Sequence, residues 1–269
     1  MNIFVVINGK RLKQRLVLLL GVIFAVGVIY AERTNITVFQ SEETPAAVYK
    51  VVTERKVLSL TFDISWGEQR VGPILDILQQ KKVQKATFFL SAPWAESHPE
   101  IVRRILDAGF EIGSHGYKHA NYSRFKDDEI RTQIRTAHAA LTKVTGMSPR
   151  LIRMPNGDYD QRVLRIAHEL GYRTIQWDTD SKDWTNPGTQ SIIQSVITGA
   201  HPGDIVLLHA SDSVKQTHEA LPVIIDELRS RGYTFATVTE LIQGTEFDAN
   251  KAQEQTPSTR GFAPVPSET

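Results

Sequence analysis

Six polar residues of this chain combine side chains suited to hydrolytic chemistry with a common position relative to predicted strands. They are Asp63, His115, His119, Arg153, Asp183 and His209. Each lies at the end of a short apolar run typical of a β-strand, or shortly after one. In a protein of alternating strands and helices, such positions meet at one end of a parallel sheet or barrel. Because carboxylates and imidazoles gathered there can transfer protons or bind a cation, we interpret the six residues as one active site.

The segment SHGYKH places His115 and His119 four positions apart, directly after a predicted strand. Two neutral imidazoles at this spacing can bind one divalent cation such as zinc if a helical turn begins there. An H-x-x-x-H pair alone is a weak signal and is usually a pair of surface residues. Its position beside the other polar strand ends favours a metal site here. The chain has no cysteine, so metal ligands must be His, Asp or Glu.

Three further segments end strands with a charged or titratable side chain. In TFDISWG, Asp63 could accept a proton from water or bind a cation; the alternative is an N-cap of the next helix. In GDIVLLHAS, His209 reaches the same rim, or is simply a hydrogen-bonded rim histidine. In RMPNG, Arg153 offers a fixed positive charge that can hold a carboxylate ionised, unless it belongs to a surface turn.

The segment WDTDSKDW, residues 177–184, brings three carboxylates and two indoles into one short stretch that we predict to be a loop. Such a loop suits the orientation of an imidazole by a carboxylate and the stacking of an indole on the face of a sugar ring. The stacking is inferred from residue type, since tryptophans are also exposed for other reasons.

The elements that must position these residues follow a strand–helix rhythm. Apolar runs predict seven strands, ending at Phe62, Leu90, Ser114, Arg153, Trp177, His209 and Thr237. The clearest helix runs from about Asp127 to a terminating Gly146, with one apolar face. An open doubly wound sheet and a barrel share this local pattern. The number of units in this length of chain favours a (β/α) barrel, either complete or incomplete.

The amino-terminal segment differs in composition from the rest of the chain. Residues 10–15 are rich in Lys and Arg and precede an uncharged apolar stretch, residues 16–31. At about 16 residues it is slightly shorter than the ~20 that span a bilayer, so it predicts a transmembrane anchor or a signal peptide, and we favour the anchor. The preceding basic residues then predict an extracytoplasmic domain, and cleavage would instead give a secreted one. A buried core helix is disfavoured by those charges.

Composition sets the remaining limits. The 269 residues include 31 basic and 30 acidic side chains, for a net charge of +1, which gives no reason to expect a nucleic-acid partner.

We expect residues 1–32 to form the amino-terminal segment and residues 33–56 a poorly ordered linker. Residues 57–243 then form the functional domain, and residues 244–269, which are polar and proline-rich, a disordered tail.

Taken in order, the segments TFD, SHGYKH, RMPNG, DW and LLH resemble the polysaccharide deacetylase family, also called the NodB-homology domain or carbohydrate esterase family 4. The resemblance extends from about residue 57 to residue 242. The TFDISW variant, with the amino-terminal anchor, is most similar to the sporulation-associated PdaB-type branch. The resemblance implies an incomplete (β/α) barrel that removes acetyl groups from N-acetylated sugars, with peptidoglycan as the expected substrate and a divalent metal of the zinc or cobalt class as cofactor.

The resemblance also implies roles for individual residues. Asp63 would be the general base that activates water, and Arg153 would orient it. His209 would be the general acid that protonates the departing amine, and Asp183 would hold it in its protonated form.

The other implied roles concern the metal and the substrate. His115 and His119 would bind the metal. Trp184 and Leu207 would line the groove that receives the acetyl methyl group, and the backbone amide at Asn156 would stabilise the oxyanion.

One position departs from the family pattern, which usually has two consecutive aspartates in its first motif. Ile64 stands where the second aspartate would bind metal, and isoleucine cannot bind a cation. Three hypotheses follow. The first is an extracytoplasmic N-deacetylase of peptidoglycan or a related glycan, and the second is a non-catalytic glycan-binding protein. The third, hydrolysis of a small non-sugar amide, is less favoured.

Overall fold

The computed structural model describes residues 10, 13, 19–21 and 45–244. Its strands are β1 (Val57–Ile64), β2 (Thr87–Leu90), β3 (Glu111–Ser114), β4 (Leu151–Ile152), β5 (Arg173–Thr174), β6 (Thr179–Asp180), β7 (Ile205–His209) and β8 (Thr234–Phe235). Its helices are α1 (Val71–Gln80), α2 (Ala92–Ser97), α3 (Pro99–Asp107), α4 (Asp127–Thr145), α5 (Gln161–Glu169), α6 (Thr189–Gly199), α7 (Thr217–Ser230) and α8 (Val238–Gln243).

All strand pairings are parallel, in the order β5-β4-β3-β2-β1-β7-β6, with β8 paired to the start of β1. The sheet curls, and within residues 45–244 no pairing joins its terminal strands β5 and β6. The expected incomplete (β/α) barrel is therefore confirmed.

Strand β1 lies at the centre of this sheet. All eight of its residues are buried, because it pairs with β2, β7 and β8 and is covered on its outer face by helices. Its alternate residues Leu58, Leu60 and Phe62 pack in the main apolar cluster with the helices. Since side chains alternate along a strand, Thr61 and Asp63 face the interior of the curled sheet. Buried apolar packing thus fixes a carboxylate at the end of the central strand.

The structure corrects part of the expected linker. Within residues 45–51, which we call the edge segment, Val48 forms a parallel bridge with Ile175 and Lys50 an antiparallel bridge with Asp204. Val48 and Val51 are buried in a second apolar cluster. The expectation of poor order was wrong for these residues, because so short a stretch carries no periodic signal and is held by contacts with distant parts of the chain.

Two strand predictions also need correction. Strand β6 was not expected, because it is only two residues long and both of its residues, Thr179 and Asp180, are polar. The strand expected to end at Trp177 ends at Thr174, and Ile175 continues it only through the bridge to Val48. The predicted helix from Asp127 is confirmed as α4, and it ends at Gly146, whose φ of 73° suits a glycine in the left-handed region.

The chain divides into two compact units, residues 1–44 and residues 45–269. In the first unit, Lys10, Lys13 and residues 19–21 are helical and exposed. The rest of the expected membrane segment, and the expected tail beyond Gly244, lie outside the described residues. In the part of the chain that the structure describes, no helix has the length and apolar character needed to cross a membrane.

Candidate active site

Arg153 and Asp63 form a buried ion pair inside the curled sheet. The Arg153 side chain is fully buried, and its Nη1 donates to Oδ1 of Asp63 at 2.8 Å and to the Thr61 hydroxyl at 2.9 Å. Its Nη2 donates to the carbonyl oxygen of Gln176 at 2.9 Å. The guanidinium also lies 4.3 Å from the centre of the Phe89 ring. These contacts fix the guanidinium, which in turn fixes one oxygen of the carboxylate.

The surroundings of Asp63 favour its ionised form. Burial alone would raise the pKa of this carboxyl group, but the charge and hydrogen bond of Arg153, with electrostatic contributions from His115 and His209, outweigh it and lower the pKa below the ordinary value. Arg153 occupies Oδ1, whereas Oδ2 lies 3.9 Å from Nε2 of His115, too far for a hydrogen bond. Oδ2 is therefore the atom placed to accept a proton.

His115 and His119 lie side by side, with ring centres 5.5 Å apart. Nδ1 of His115 lies 2.9 Å from the carbonyl oxygen of Arg153, which can only accept, so we assign the proton to Nδ1 and the lone pair to Nε2. Burial lowers the pKa of His115 to about 4 and also lowers that of His119. Both rings are thus neutral at pH 7, as metal binding requires.

A third protein ligand is missing beside these imidazoles. Ile64 is fully buried in the main apolar cluster, which also contains Val71 and Trp94. Within the described residues, no group of three His, Asp or Glu side chains could hold a metal ion. Catalytic zinc sites use three protein ligands. Within the described residues, the two imidazoles therefore form a partial metal site, with one protein ligand fewer than a catalytic zinc site uses.

His209 and Asp183 form a second pair. Nδ1 of His209 lies 2.7 Å from Oδ1 of Asp183, and the His209 backbone N–H donates to Oδ2 at 2.8 Å. The Thr217 hydroxyl also donates to Oδ2, at 2.7 Å. Asp183 is fully buried, so these hydrogen bonds replace its lost hydration. Sequence reasoning missed Thr217, because a threonine at the start of a helix gives no sign of the distant residue that it contacts.

The pKa of His209 is shifted in the direction opposite to that of His115. Burial would lower it, but the charge and hydrogen bond of Asp183, with a contribution from Asp63, raise it above the ordinary value. Because Asp183 accepts the Nδ1 proton, the proton on Nε2 is the one available for transfer. Asp63 and His209 are direct partners across β1 and β7, so a carboxylate base and an imidazolium acid stand at the same sheet edge.

The three residues expected to bind substrate also lie near this edge. Leu207 is two positions before His209 and so shares its face of β7. Trp184 follows Asp183 and is exposed. Asn156, three residues after Arg153, has a left-handed φ of 59°, and its side chain donates to Oδ1 of Asn121 at 2.8 Å. Such a backbone conformation is uncommon for a residue other than glycine.

Comparisons with known proteins agree with this geometry. Residues 50–175 match the family model described as polysaccharide deacetylase. The chain is 35% identical to a peptidoglycan-N-acetylglucosamine deacetylase of Bacillus cereus, over 75% of this chain and 95% of that protein. It is 30% identical to the peptidoglycan-N-acetylmuramic acid deacetylase PdaA of Bacillus subtilis, over 73% of this chain and 75% of that protein.

A solved structure adds a contrasting relative. BA3943 of Bacillus anthracis, described as a CE4 family pseudoenzyme, superposes with a TM-score of 0.70 at 34% identity, over 76% of this chain and 71% of that one. A mutant of it, described as having restored enzymatic activity, gives a TM-score of 0.69 at 36% identity, over 73% of this chain and 71% of that one. The same fold therefore occurs in deacetylases and in a protein described as lacking activity.

Proposed function

We propose that this chain, which belongs to the polysaccharide deacetylase family of hydrolases acting on N-acetyl amide bonds, removes acetyl groups from the glycan strands of peptidoglycan. The observation that carries the proposal is the facing pair of Asp63 and His209, one held ionised by Arg153 and the other held protonated by Asp183. The substrate class comes from the named relatives, two of which act on peptidoglycan.

The first chemical step uses Asp63 as a general base. Its Oδ2 takes a proton from a water molecule as the water oxygen bonds to the carbonyl carbon of the acetamide. The carbonyl electron pair moves to oxygen and gives a tetrahedral oxyanion. The backbone N–H of Asn156 donates a hydrogen bond to this oxyanion.

The second step uses His209 as a general acid. Its Nε2 gives a proton to the amide nitrogen, the oxyanion electron pair re-forms the carbonyl, and the carbon–nitrogen bond breaks with its electrons on nitrogen. An amino sugar and acetic acid leave, and the acid loses its proton to water to give acetate. Asp183 stabilises the imidazolium before the transfer, since its two oxygens receive both N–H groups of His209 that face it. Leu207 and Trp184 line the space for the acetyl methyl group.

Members of this family are generally metal-dependent. His115 and His119 offer two imidazoles, and Ile64 offers no donor atom. We propose that zinc or cobalt at these imidazoles is held more weakly than at a site with three protein ligands. Proton transfer then depends on the two residue pairs described above.

We propose an extracytoplasmic location, with residues 16–31 as a retained membrane anchor. The basic residues before that stretch favour this orientation, and peptidoglycan lies outside the cytoplasmic membrane. A secreted form after cleavage is the alternative. The TFDISW segment supports a role in spore or cell-wall formation, as in the PdaB-type branch.

Acetate release tests the proposed function. The full chain is incubated with N-acetylglucosamine oligomers and with peptidoglycan, with chelator and with added zinc or cobalt. We expect acetate from wild-type protein and none from Asp63→Asn, because the amide cannot accept the proton of water. Normal turnover by Asp63→Asn would refute the assigned base. Release that chelator abolishes would show that the two imidazoles suffice for a required metal.

A second candidate function is glycan binding without hydrolysis. Ile64 and the similarity to a CE4 family pseudoenzyme favour it. It would be supported if folded protein released no acetate from either substrate and bound glycan fragments equally well after alanine substitution of Asp63 and His209.

A further inference from the structure

Two exposed tryptophans distinguish one region of the surface. Trp66 is 55% exposed and Trp184 is 43% exposed. The other large apolar residues that are exposed within residues 45–244 are aliphatic, namely Val52, Met147 and Val223. An indole left in water forgoes the stabilisation that its burial would contribute, so exposed indoles that lie beside a catalytic group are candidates for ligand contact.

The sheet order places both tryptophans beside His209. Trp66 lies two residues after the end of β1, and Trp184 follows β6. In the sheet, β7 lies between β1 and β6, and His209 is its last residue. The tryptophans therefore follow the carboxyl ends of the two strands that flank the proposed acid, one on each side.

The backbone around Trp66 is held firmly. The N–H of Ser65 donates to the Ser211 hydroxyl at 2.8 Å, and the N–H of Asp212 donates to the carbonyl oxygen of Trp66 at 3.3 Å. The indole N–H of the buried Trp94 donates to the carbonyl oxygen of Gly67 at 2.6 Å. The exposed ring is thus carried by an ordered turn.

The turn at Trp184 is joined to the same neighbouring loop. The Asn186 side chain donates to the carbonyl oxygen of Ser213 at 2.9 Å and accepts from the N–H of Lys215 at 2.8 Å. Residues 210–215, directly after His209, therefore hold the turns of both tryptophans. This shared contact fixes the two turns relative to each other and to the proposed acid.

We infer that Trp66 is a second stacking surface for glycan, on the side of His209 opposite Trp184. The inference rests on the proposed function and extends it to the form of the substrate. The apolar faces of sugar rings suit the flat, amphipathic indole. A chain of N-acetylated sugars that extends past His209 on both sides contacts both indoles, whereas a short fragment contacts only one. The site accordingly selects extended glycan over short oligosaccharides.

Binding measured by calorimetry tests this inference with N-acetylglucosamine disaccharide and hexasaccharide as probes. The full chain carries Asp63→Asn, so that the probe is not consumed. We expect Trp66→Ala to weaken hexasaccharide binding about tenfold, as for truncation of a tryptophan that contributes to a binding surface, and to leave disaccharide binding unchanged. Trp66→Phe keeps an aromatic face and retains most of the affinity. Met147→Ala is the control, because Met147 is also exposed but precedes β4, at the opposite end of the sheet.

Each contrary result has a distinct meaning. Equal hexasaccharide binding by Trp66→Ala and its parent would overturn the inference and leave the proposed function intact. An equal loss of affinity for both probes in Trp66→Ala would also overturn the inference, since Trp66 would then support the catalytic pocket itself. If the parent bound neither probe while acetate was released from peptidoglycan by wild-type protein, the extended N-acetylglucosamine chain would be the wrong ligand. Thermal melts of every variant confirm that it is folded.

Discussion

Nη1 of Arg153 donates a 2.8 Å hydrogen bond to Oδ1 of Asp63, and neither side chain has more than slight contact with solvent. Each charge is compensated mainly by the other, because little water reaches either. The ionised carboxylate and the fold around it therefore depend on the same contact.

Replacement of Arg153 by methionine tests this dependence. Arg153→Met leaves Asp63 buried without its cation, and we expect a loss of about 3–5 kcal/mol in the free energy of unfolding at pH 7. Without Arg153 the folded-state pKa of Asp63 rises, so the loss should shrink as the pH falls and the carboxyl group becomes neutral. Urea denaturation at several pH values measures both effects.

The double variant Arg153→Met/Asp63→Asn supplies the control. It removes both charges, so part of the lost stability should return at pH 7. If the double variant were no more stable than Arg153→Met, an unpaired carboxylate would not be the cause.

Asp183 raises the pKa of His209, and Asp183→Asn should reverse the direction of that pKa shift. Without the negative charge, burial dominates and the pKa of His209 falls from above to below the ordinary value. The imidazolium form would then be lost at lower pH, together with the capacity to protonate an amine. NMR titration of the histidine resonances, assigned with His209→Gln, measures the shift.

Asp178→Asn is a matched control for that titration. Asp178 lies 2.8 Å from Nε2 of His201 and raises the pKa of that histidine. Its removal should lower the pKa of His201 and leave His209 unchanged. An unchanged His209 titration in Asp183→Asn would contradict the assigned pairing.

Thr217 is expected to contribute to stability through Asp183. Thr217→Val keeps the shape of the side chain but removes the hydroxyl that donates to a buried carboxylate, which should cost about 1.5–3 kcal/mol in unfolding free energy. Thr185→Val is the control, because the exposed Thr185 hydroxyl donates to the carbonyl oxygen of Lys182 at 2.8 Å. We expect less than about 0.5 kcal/mol there. If urea denaturation gave the same loss of unfolding free energy for Thr217→Val and Thr185→Val, the buried charge of Asp183 would not strengthen the Thr217 hydrogen bond.

Replacement of Asp204 by asparagine should stabilise the fold, by an amount that depends on pH. It is fully buried at the start of β7, its Oδ2 has no hydrogen-bond partner, and burial raises its pKa to about 6. A carboxyl group whose pKa is raised on folding favours the folded state below its unfolded pKa, and that contribution is lost as the pH rises through 6. Asp204→Asn should therefore be more stable than wild type by about 1–3 kcal/mol at pH 8, with the difference vanishing near pH 4.

Thermal melts across that pH range measure the difference between the two proteins. Asp226→Asn is the control, since this carboxylate is largely exposed in its pair with Lys81 and should change little. A destabilised Asp204→Asn at pH 8 would mean that the ionised carboxylate stabilises its site.

Ile64→Asp should convert two imidazoles into a three-ligand site. We expect zinc affinity to rise at least about tenfold over wild type in calorimetric titration, because a carboxylate supplies the missing donor. In chelator the variant should be less stable than wild type, since it buries a charge, and zinc should restore it. Ile64→Leu should leave zinc affinity unchanged. Unchanged affinity in Ile64→Asp would place residue 64 out of reach of the imidazoles.

The sequence predicted the central strands and the residues at their ends. Mainly apolar runs mark β1 and β7, whose carboxyl ends hold Asp63 and His209, because strands buried on both faces are rich in apolar residues. The short strand β3 ends directly before His115. Strand β6 and the edge segment carried no such signal, because they are short and are held by contacts with distant strands.

The supporting contacts of the site were also beyond prediction. Arg153 relies on the carbonyl oxygen of Gln176, and His115 on that of Arg153 itself. Every residue has a carbonyl group, so nothing in a side-chain sequence marks the one that will be used. Such contacts depend on how the turns after β4 and β5 approach each other in three dimensions.

The pairing of β1 with β7 determines when the active site forms during folding. Across this pairing the Thr61 hydroxyl donates to the carbonyl oxygen of Val206, 145 residues away in the chain. Contacts of such long range require closure of a large loop and are characteristic of slow folding. A partly folded chain that retains its helices but not this pairing has no proposed acid beside its base. Catalytic competence should therefore be gained and lost together with the whole domain, and activity recovered on refolding should follow the slowest step of chain assembly.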